Sequence, residues 1–144
     1  LYQLYRLGGC ECDLVVDIGG GNANLACLIA LAFDVPVTIV EMETPREELR
    51  GELWLPEVLK RRNAVTRVES LIQDWELPPE AKNVLVLGKH LCGPGTDAGI
   101  DFVRAHLDRM LGCVFATCCC CKIFLGLRTS TTWLACLSMA GQQR

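Results

Sequence analysis

The segment KHLCGPGTD, at positions 89–97, concentrates side chains that could do chemistry. It holds an amine, an imidazole, a thiol, a hydroxyl and a carboxylate in a chain that is 51% apolar. An imidazole can take a proton from a hydroxyl, and a neighbouring cation can stabilise the oxyanion that results. The structural alternative is that Thr96 and Asp97 cap the next helix while His90 bonds locally. We favour the functional interpretation, because strand ends seldom carry Lys-His without a task.

A glycine-rich turn forms the second group of informative residues. Asp17, Gly19, Gly21 and Ala23 give the pattern D-x-G-x-G-x-A between an apolar run and a helical stretch. Glycines let a backbone turn sharply towards a ligand, and the helix that follows offers free N–H groups. A dinucleotide fingerprint needs a third glycine where Asn24 stands, and an acid before the turn would repel a pyrophosphate. The turn therefore favours S-adenosylmethionine, with its amino group and sulfonium, over NAD.

A second acid supports an adenosine ligand. Glu41 ends the next apolar run, 20 residues beyond Gly21, where a carboxylate accepts both hydroxyls of a ribose. The alternative is that Glu41 is one of many surface acids in EMETPREE. Because a strand pattern precedes the glycine turn and a helix pattern follows it, we favour ligand binding over a purely structural turn.

The elements that must position these groups alternate along the chain. Periodicity and breakers predict strands at 14–18, 35–40, 64–69, 83–88 and 113–118, with helical segments at 22–33, 45–62 and 96–110. The second of these segments is broken near Gly51 and Pro56. Alternation with short connections is typical of an α/β fold with a doubly wound, mostly parallel sheet. Ligands of such a sheet bind beyond the carboxyl ends of its strands, which is where both groups of residues lie.

Composition excludes several classes of protein. The chain has 144 residues, the size of one domain, and its 14 Lys and Arg against 17 Asp and Glu give a net charge of −3. That balance argues against binding nucleic acid by bulk electrostatics. The apolar stretches are shorter than the ~20 residues that a membrane span needs, so we expect no membrane contact. Ten cysteines lie mostly in apolar segments, which indicates a reducing, intracellular location, cytoplasmic or nuclear.

The cysteine run at 118–121 raises the question of a metal. Cys118 and Cys121 have C-x-x-C spacing, and His90 or Cys92 could add a ligand. A zinc site would show a second paired knuckle, whereas the other close pair, at positions 10 and 12, has a one-residue gap. We therefore expect no metal, and structural thiols that line a pocket instead.

Taken together, the motifs resemble the eukaryotic tRNA 2′-O-methyltransferase family that modifies nucleotide four of the acceptor stem. The resemblance rests on GKHLCGPGTD at 88–97, on ATCC at 116–119 and on DIGGGNANL at 17–25. It extends from about residue 14 to residue 121. It implies a Rossmann-like S-adenosylmethionine-dependent methyltransferase fold, and methyl transfer to a ribose 2′-hydroxyl of tRNA.

For catalysis, the placement of the residues leads us to expect His90 as the base that takes the hydroxyl proton. Lys89 is then the cation that positions the ribose or phosphate, and Asp97 orients one of the two. We expect Cys92, in the same segment, to contact the substrate.

Cofactor and RNA contacts are likewise expected from the positions of the residues along the chain. The cofactor residues are expected to be the acid and glycines of the turn and the acids that follow the strands: Asp17, Gly19, Gly21, Glu41, Glu69 and Asp74. Within this set Glu41 takes the ribose, and either Glu69 or Asp74 takes the adenine amino group. A short basic run would steer RNA: Lys60, Arg61, Arg62 and Arg67. The alternative for the basic run is a solvated helix end with cations near its C-terminus.

The sequence also departs from the family pattern. Cysteines stand at 120 and 121 where members have histidines, and we find no Cys/His module of the kind that helps members hold RNA. We expect a single domain over 1–144, with a core at about 14–121 and a C-terminal helical segment at 122–144. We also expect a sheet that is incomplete at its C-terminal edge, as in a fragment or reduced member. Additional RNA-binding modules or another chain would then lie outside this sequence.

Two other functions stay open on the sequence alone. The glycine turn and its acids cannot distinguish RNA from a protein or small-molecule methyl acceptor. A non-catalytic methyltransferase-fold module, or a cysteine and metal module used for interaction, is the third class.

Overall fold

The computed structural model describes residues 12–117 and the backbone of 135–138. The strands are β1 (Leu14–Ile18), β2 (Val37–Glu41), β3 (Val65–Glu69), β4 (Val84–Lys89), β5 (Met110–Ala116) and β6 (Ala135–Ser138). The α-helices are α1 (Asn24–Phe33), α2 (Glu57–Arg61) and α3 (Pro94–Ala105). Short 3₁₀ turns lie at Glu47–Leu49, Gly51–Trp54, Ile72–Asp74 and Leu107–Arg109.

The strands form one sheet in the order β3-β2-β1-β4-β5-β6. Strands β1 to β5 pair in parallel, and β6 pairs antiparallel with β5. The direction of winding reverses between β1 and β4, which creates the crevice where ligands of such sheets bind. The predicted doubly wound, mostly parallel sheet is confirmed.

Both faces of the sheet are covered, which explains the continuous apolar runs of its central strands. Successive side chains of a strand point to opposite faces. Val15 therefore joins a core with Ile29 of α1, whereas Val16 joins a second core with Phe102 of α3. The helices on the two faces fix the position of the loops at the strand ends.

The region between β2 and β3 breaks where the sequence predicted. Two 3₁₀ turns replace a continuous helix, and only the short α2 follows Pro56. Pro56 precedes the first residue of α2, a position where its missing N–H costs nothing. The loop from Thr44 to Leu55 can therefore fold back over the glycine turn, where Gly51 N–H donates to Asn22 O.

Two helix predictions need correction. The third predicted helix, at 96–110, begins earlier and ends at Ala105, and Met110 already starts β5, where it is buried. The predicted C-terminal helical segment at 122–144 contains β6, which pairs with β5 from Gly112↔Ser138 to Phe115↔Ala135. Without a neighbour that edge of β5 would leave backbone groups unpaired, and this pairing outweighs local helical preference. The remainder of 122–144, and the cysteine run at 118–121, lie outside the described residues.

No helix in the described ranges is long and apolar enough to cross a membrane.

The turn after β1 is built from backbone conformations that few residue types adopt. Gly19 and Gly21 have φ of 68° and 51°, and Ala23 has φ of 64°. Gly19 N–H donates to Val40 O at 2.9 Å, which ties the turn to the end of β2. Gly20 serves a different purpose, because a Cβ there would lie 2.7 Å from Asp17 Oδ2 and 2.9 Å from Ile39 Cγ2. The motif predicted Gly19 and Gly21 but not Gly20, which is required because a side chain there would clash.

We predict that Gly20→Ala destabilises the fold by about 1–3 kcal/mol, because the added methyl group overpacks a site bounded by buried side chains. Gly21→Ala is the matched control, since its Cβ would meet nothing within 4 Å and its cost is the left-handed backbone alone, about 1 kcal/mol. Urea denaturation followed by circular dichroism measures both. A Gly20→Ala variant that is more stable than Gly21→Ala would contradict this account of the turn.

Candidate functional site

The carboxyl ends of β1 to β4 bring most of the predicted site residues to one edge of the sheet. Asp17 lies near the end of β1, Glu41 ends β2, Glu69 ends β3, and Lys89 ends β4 with His90 next to it. Because β1 pairs with both β2 and β4, Asp17 lies between the acid at 41 and the cation at 89. The predicted crevice therefore holds both the glycine turn and the Lys-His pair.

Asp17 is a buried carboxylate without a hydrogen-bond donor. Its residue is 1% exposed, and neither Oδ1 nor Oδ2 has a partner in the part of the chain that the structure describes. Burial raises the pKa of Asp17 to about 7, and the charge of Glu41 adds to the rise. The charges of Arg67 and Lys89 lower it in part. A buried carboxylate of this kind suits a cationic or N–H-bearing ligand.

Glu41 holds the glycine turn as well as facing the crevice. Its Oε2 accepts the N–H of Gly21 at 2.8 Å, across a separation of 20 residues. Its backbone carbonyl accepts the N–H of Ser70 at 3.0 Å, which fixes the end of β2 against the segment after β3. The first bond uses one carboxylate oxygen, and a carboxylate has acceptor capacity to spare for a ligand hydroxyl.

The two acids that we considered for the adenine group lie beyond β3. Glu69 is exposed, and its Oε2 accepts the N–H of Thr44 at 3.3 Å. Asp74 is exposed at the end of the 3₁₀ turn Ile72–Asp74, and its side chain bonds to none of the described residues. Glu69 therefore holds the loop after β2 with one oxygen and keeps acceptor capacity for a ligand, as Asp74 does.

Lys89 and His90 end β4 in a strained but well-tied backbone. His90 has φ of 65°, a left-handed conformation that non-glycine residues adopt at a cost of about 1–3 kcal/mol. Its N–H donates to Ala116 O at 2.8 Å, which holds this conformation against the end of β5. Both side chains are exposed to the crevice edge, and the positive charge of Lys89 reaches Asp17. Strain of this kind on a potential base is typical of functional sites.

Leu91 packs the loop onto the sheet, which sequence reasoning missed. Cβ atoms at three glycines would crowd its side chain: 2.9 Å at Gly88, 3.0 Å at Gly95 and 3.2 Å at Gly99. The glycines thus clear space for one leucine. The signal in the sequence was the recurrence of glycine at 88, 95 and 99 around an isolated leucine.

The structural alternative for this segment, a helix cap at Thr96, is not observed. Helix α3 begins at Pro94, after Gly93 with φ of 58°, and Thr96 Oγ1 donates to Leu91 O at 2.7 Å. Proline suits the first position of a helix, so the helix starts before Thr96. Asp97 is exposed in the first turn, and within the described residues it bonds to neither Lys89 nor His90. Cys92 is half-buried in the same loop.

The predicted basic run is divided by the fold. Lys60 to Arg62 end α2 and precede the amino end of β3, so they lie at the edge of the sheet opposite the crevice. Lys60 Nζ pairs with Glu57 Oε1 at 3.1 Å, and Arg62 pairs with Asp34. Arg67 is in the middle of β3 with its side chain 4% exposed, so it cannot steer RNA. The interpretation as a solvated helix end fits Lys60, Arg61 and Arg62 better.

Among residues 12–117, no group of three or more His, Cys, Asp or Glu side chains is arranged to hold a metal ion.

Comparison with solved structures identifies the fold. The chain is similar to the 23S rRNA methyltransferase ErmE, with a TM-score of 0.56 and 20% identity over 81% of this chain and 45% of that one. It is similar to the S-adenosylmethionine-dependent methyltransferase SibL, with a TM-score of 0.53 and 20% identity over 78% and 34%. It is also similar to the methyltransferase domain of bacterial CtHen1, with a TM-score of 0.51 and 17% identity over 81% and 66%. The chain thus spans about a third to two thirds of the length of these methyltransferases.

Comparison of sequences identifies the family. None of the curated proteins matches the chain. The profile of the family described as Methyltransferase TRM13 matches residues 11–125, which include the glycine turn, β1 to β5 and the loop after β4. Methyltransferases of this fold use S-adenosylmethionine as the methyl donor. The buried Asp17 carboxylate beside the turn suits the positively charged groups of this cofactor. The chain therefore belongs to the TRM13 methyltransferase family and has the Rossmann-like fold of S-adenosylmethionine-dependent methyltransferases.

Proposed function

We propose that this chain transfers a methyl group from S-adenosylmethionine to a ribose 2′-hydroxyl in the acceptor stem of tRNA. The observation that carries the proposal is the juxtaposition of two features on the paired strands β1 and β4. One is the buried carboxylate of Asp17, which has no hydrogen-bond partner among the described residues, and the other is the Lys89-His90 pair with its strained backbone. The first suits a cationic cofactor and the second suits a hydroxyl that must lose a proton.

The residues of the turn would hold the cofactor. Asp17 would accept the amino group of its methionine part, and Gly19 and Gly21 would let the backbone approach it. Glu41 would accept the ribose hydroxyls, and Asp74 would accept the adenine amino group, with Glu69 as the alternative. When bound, S-adenosylmethionine supplies an electrophilic methyl group on its sulfonium.

His90 would act as the general base at the crevice edge. A ribose hydroxyl is a poor nucleophile, and general-base assistance is worth about 10²–10⁴-fold in rate. Lys89 would bind the phosphate or ribose and stabilise the developing oxyanion, while the loop holds the hydroxyl in line with the methyl group. Asp97 hydrogen-bonds to neither residue in the described part of the chain, so we do not assign it the orienting role. The backbone bond of His90 to Ala116 fixes the point from which its side chain leaves the loop.

Family membership supports tRNA as the methyl acceptor. One protein of similar fold, ErmE, is also described as a methyltransferase of an RNA, the 23S rRNA. The half-buried Cys92 lies between His90 and α3, where it would border the bound nucleotide. A tRNA substrate would place the protein inside the cell, in the cytoplasm or nucleus. RNA-binding modules outside this sequence would increase its affinity for tRNA. Methylation of a protein or small molecule instead of tRNA would contradict the proposal.

We predict that binding of S-adenosylmethionine strengthens several-fold from pH 6 to pH 7.5. The ionised form of Asp17 binds the cation, and its pKa is about 7 in the free chain. This range keeps the α-amino group of the ligand largely charged, since such groups titrate at about 7.7–8.0. Isothermal titration calorimetry measures the affinity at each pH. An affinity that does not change across this range would contradict the role of Asp17.

Asp17→Asn is the control for that titration, and we expect weak, pH-independent binding. The substitution should not unfold the chain. The pKa of Asp17 is raised by folding from 3.8 to about 7, so the carboxylate destabilises the fold progressively as the pH rises between these values. Removing the carboxylate should therefore raise the melting temperature at pH 7.5. A lower melting temperature would show that Asp17 is structural.

We predict that His90→Ala lowers the rate of tRNA methylation by about 10²–10⁴-fold without changing the affinity for S-adenosylmethionine. Single-turnover transfer of a labelled methyl group to tRNA measures the rate. His90→Gly is the matched control, since glycine adopts φ of 65° without strain and separates backbone effects from loss of the imidazole. Normal turnover in both variants would remove His90 as the base.

We predict that substituting Lys60, Arg61 and Arg62 together by Gln leaves tRNA affinity within about twofold, since exposed cations away from a contact contribute little. Lys89→Gln is the comparison, and it should weaken binding and reduce its salt dependence. Filter binding at several salt concentrations measures both. A larger loss from the triple variant would return the basic run to the RNA interface.

A further inference from the structure

A buried ion pair lies directly behind the glycine turn. Arg67 Nε donates to Glu52 Oε1 at 2.7 Å, and Arg67 Nη2 donates to Glu52 Oε2 at 3.1 Å. The side chains are 4% and 7% exposed. The same Nη2 donates to Gly21 O at 2.8 Å, so a residue of β3 reaches past β2 to the turn after β1.

The loop that carries Glu52 also touches the turn through its backbone. Gly51 N–H donates to Asn22 O at 2.8 Å. A Cβ at Gly51 would lie 2.8 Å from that same carbonyl oxygen, so the loop approaches as closely as a backbone can. Arg50 Nε adds a 3.0 Å contact to Glu52 Oε1 at the outer side of the pair.

A buried ion pair is weak evidence for a gain in stability, because removing both charges from water offsets their attraction. Arg67 Nη1 is buried and has no partner among the described residues, which adds to the cost. An apolar pair of similar size would fill the space between β3 and the loop at least as well. The free-energy cost of burying this pair is therefore better explained by the hydrogen bond that the Arg67 guanidinium donates to the glycine turn.

The two backbone groups of Gly21 are held from opposite sides. Glu41 Oε2 accepts its N–H and Arg67 Nη2 donates to its carbonyl oxygen. Gly21 has φ of 51° and no neighbour within 4 Å of a Cβ position, so packing does not hold it in place. Together with the N–H of Ala23, which donates to Gly20 O at 2.9 Å, the two charged side chains set the orientation of its peptide groups.

We propose that the Arg67–Glu52 pair is a positioning device that fixes the cofactor-binding turn before the cofactor arrives. Arg67 acts through Gly21 and through its charge, without touching the ligand. The inference rests on the proposed role of Asp17 and the turn in cofactor binding. Preorganising the turn lowers the ordering cost that would otherwise be subtracted from ligand affinity.

Arg67 also acts on Asp17 electrostatically. The two residues share a register across the sheet, Asp17 with Ile39 and Ile39 with Arg67. The charges that face Asp17 are those of Glu41, which raises its pKa, and of Arg67 and Lys89, which lower it. Removing the charge of Arg67 should shift the pH dependence of cofactor binding upwards, and a residue that only packed would not do this.

The test compares three variants of the full 144-residue chain, titrated with S-adenosylmethionine between pH 6 and pH 7.5. For Arg67→Met we expect binding weakened about tenfold or more and a midpoint moved to higher pH, because both the hydrogen bond and the charge are lost. For Arg67→Lys we expect the midpoint to stay and the affinity to fall less, because one ammonium keeps the charge but not the planar fork. Arg62→Met is the matched control, since Arg62 pairs with Asp34 at the opposite edge.

Amide hydrogen exchange of Gly21 in the ligand-free chain gives a second readout. Arg67→Met should speed exchange of the Gly21 N–H relative to Arg62→Met. This result would support the positioning role even if the unsubstituted chain bound no S-adenosylmethionine, which would defeat the proposed function alone. A folded Arg67→Met variant with unchanged exchange of the Gly21 N–H would overturn the inference if either its affinity for S-adenosylmethionine or the pH midpoint of binding were also unchanged.

If Arg67→Met does not fold, the double variant Arg67→Met/Glu52→Met removes both buried charges and keeps the volume filled. The same titration and exchange measurements then apply. A folded double variant with the affinity and Gly21 exchange of the unsubstituted chain would overturn the inference. Weakened binding with faster exchange would support it.

Discussion

The candidate site depends on the burial of one carboxylate, which lies near the end of the central strand β1 and accepts no hydrogen bond from the described residues. Asp17 is enclosed by β1, β2 and β4, and both of its oxygens lack partners in the described ranges. Water cannot reach them to lower the cost, so the pKa rises to about 7. The positive charges of Arg67 and Lys89 limit this rise, and the absence of a side chain at Gly20 leaves the carboxylate its space.

The parallel sheet places the other polar groups of the candidate site at the same edge as Asp17. Because all of the strands from β1 to β5 run in one direction, the groups at their carboxyl ends meet at one edge. Glu41, Lys89 and His90 arrive there from neighbouring strands. The cations at Lys60, Arg61 and Arg62 precede a strand and so lie at the other edge. Position relative to the strand direction therefore separates site residues from surface charges of the same chemical type.

Much of this arrangement could be predicted from local sequence. The run LVVDI followed by three glycines predicted β1 and its turn, and the spacing to Glu41 predicted a second acid at the same edge. Closeness in sequence groups Arg67 with the basic run at 60–62, but its side chain is buried against Glu52. Nothing in the sequence pairs these two residues, which are 15 positions apart. A cap at Thr96, the structural alternative for this loop, is wrong because Pro94 already occupies the first position of the helix. The C-terminal helix was wrong at 135–138, where pairing with β5 decides the structure.

The most direct test of the central claim is the titration of Asp17 itself by ¹³C NMR of its side-chain carboxyl carbon. The free chain and the chain saturated with S-adenosylhomocysteine, the demethylated product, are compared. Our account predicts a pKa near 7 in the free chain and a clearly lower pKa when the amino group of the ligand is bound. An ordinary pKa in the free chain, or one that does not fall on binding, would contradict it.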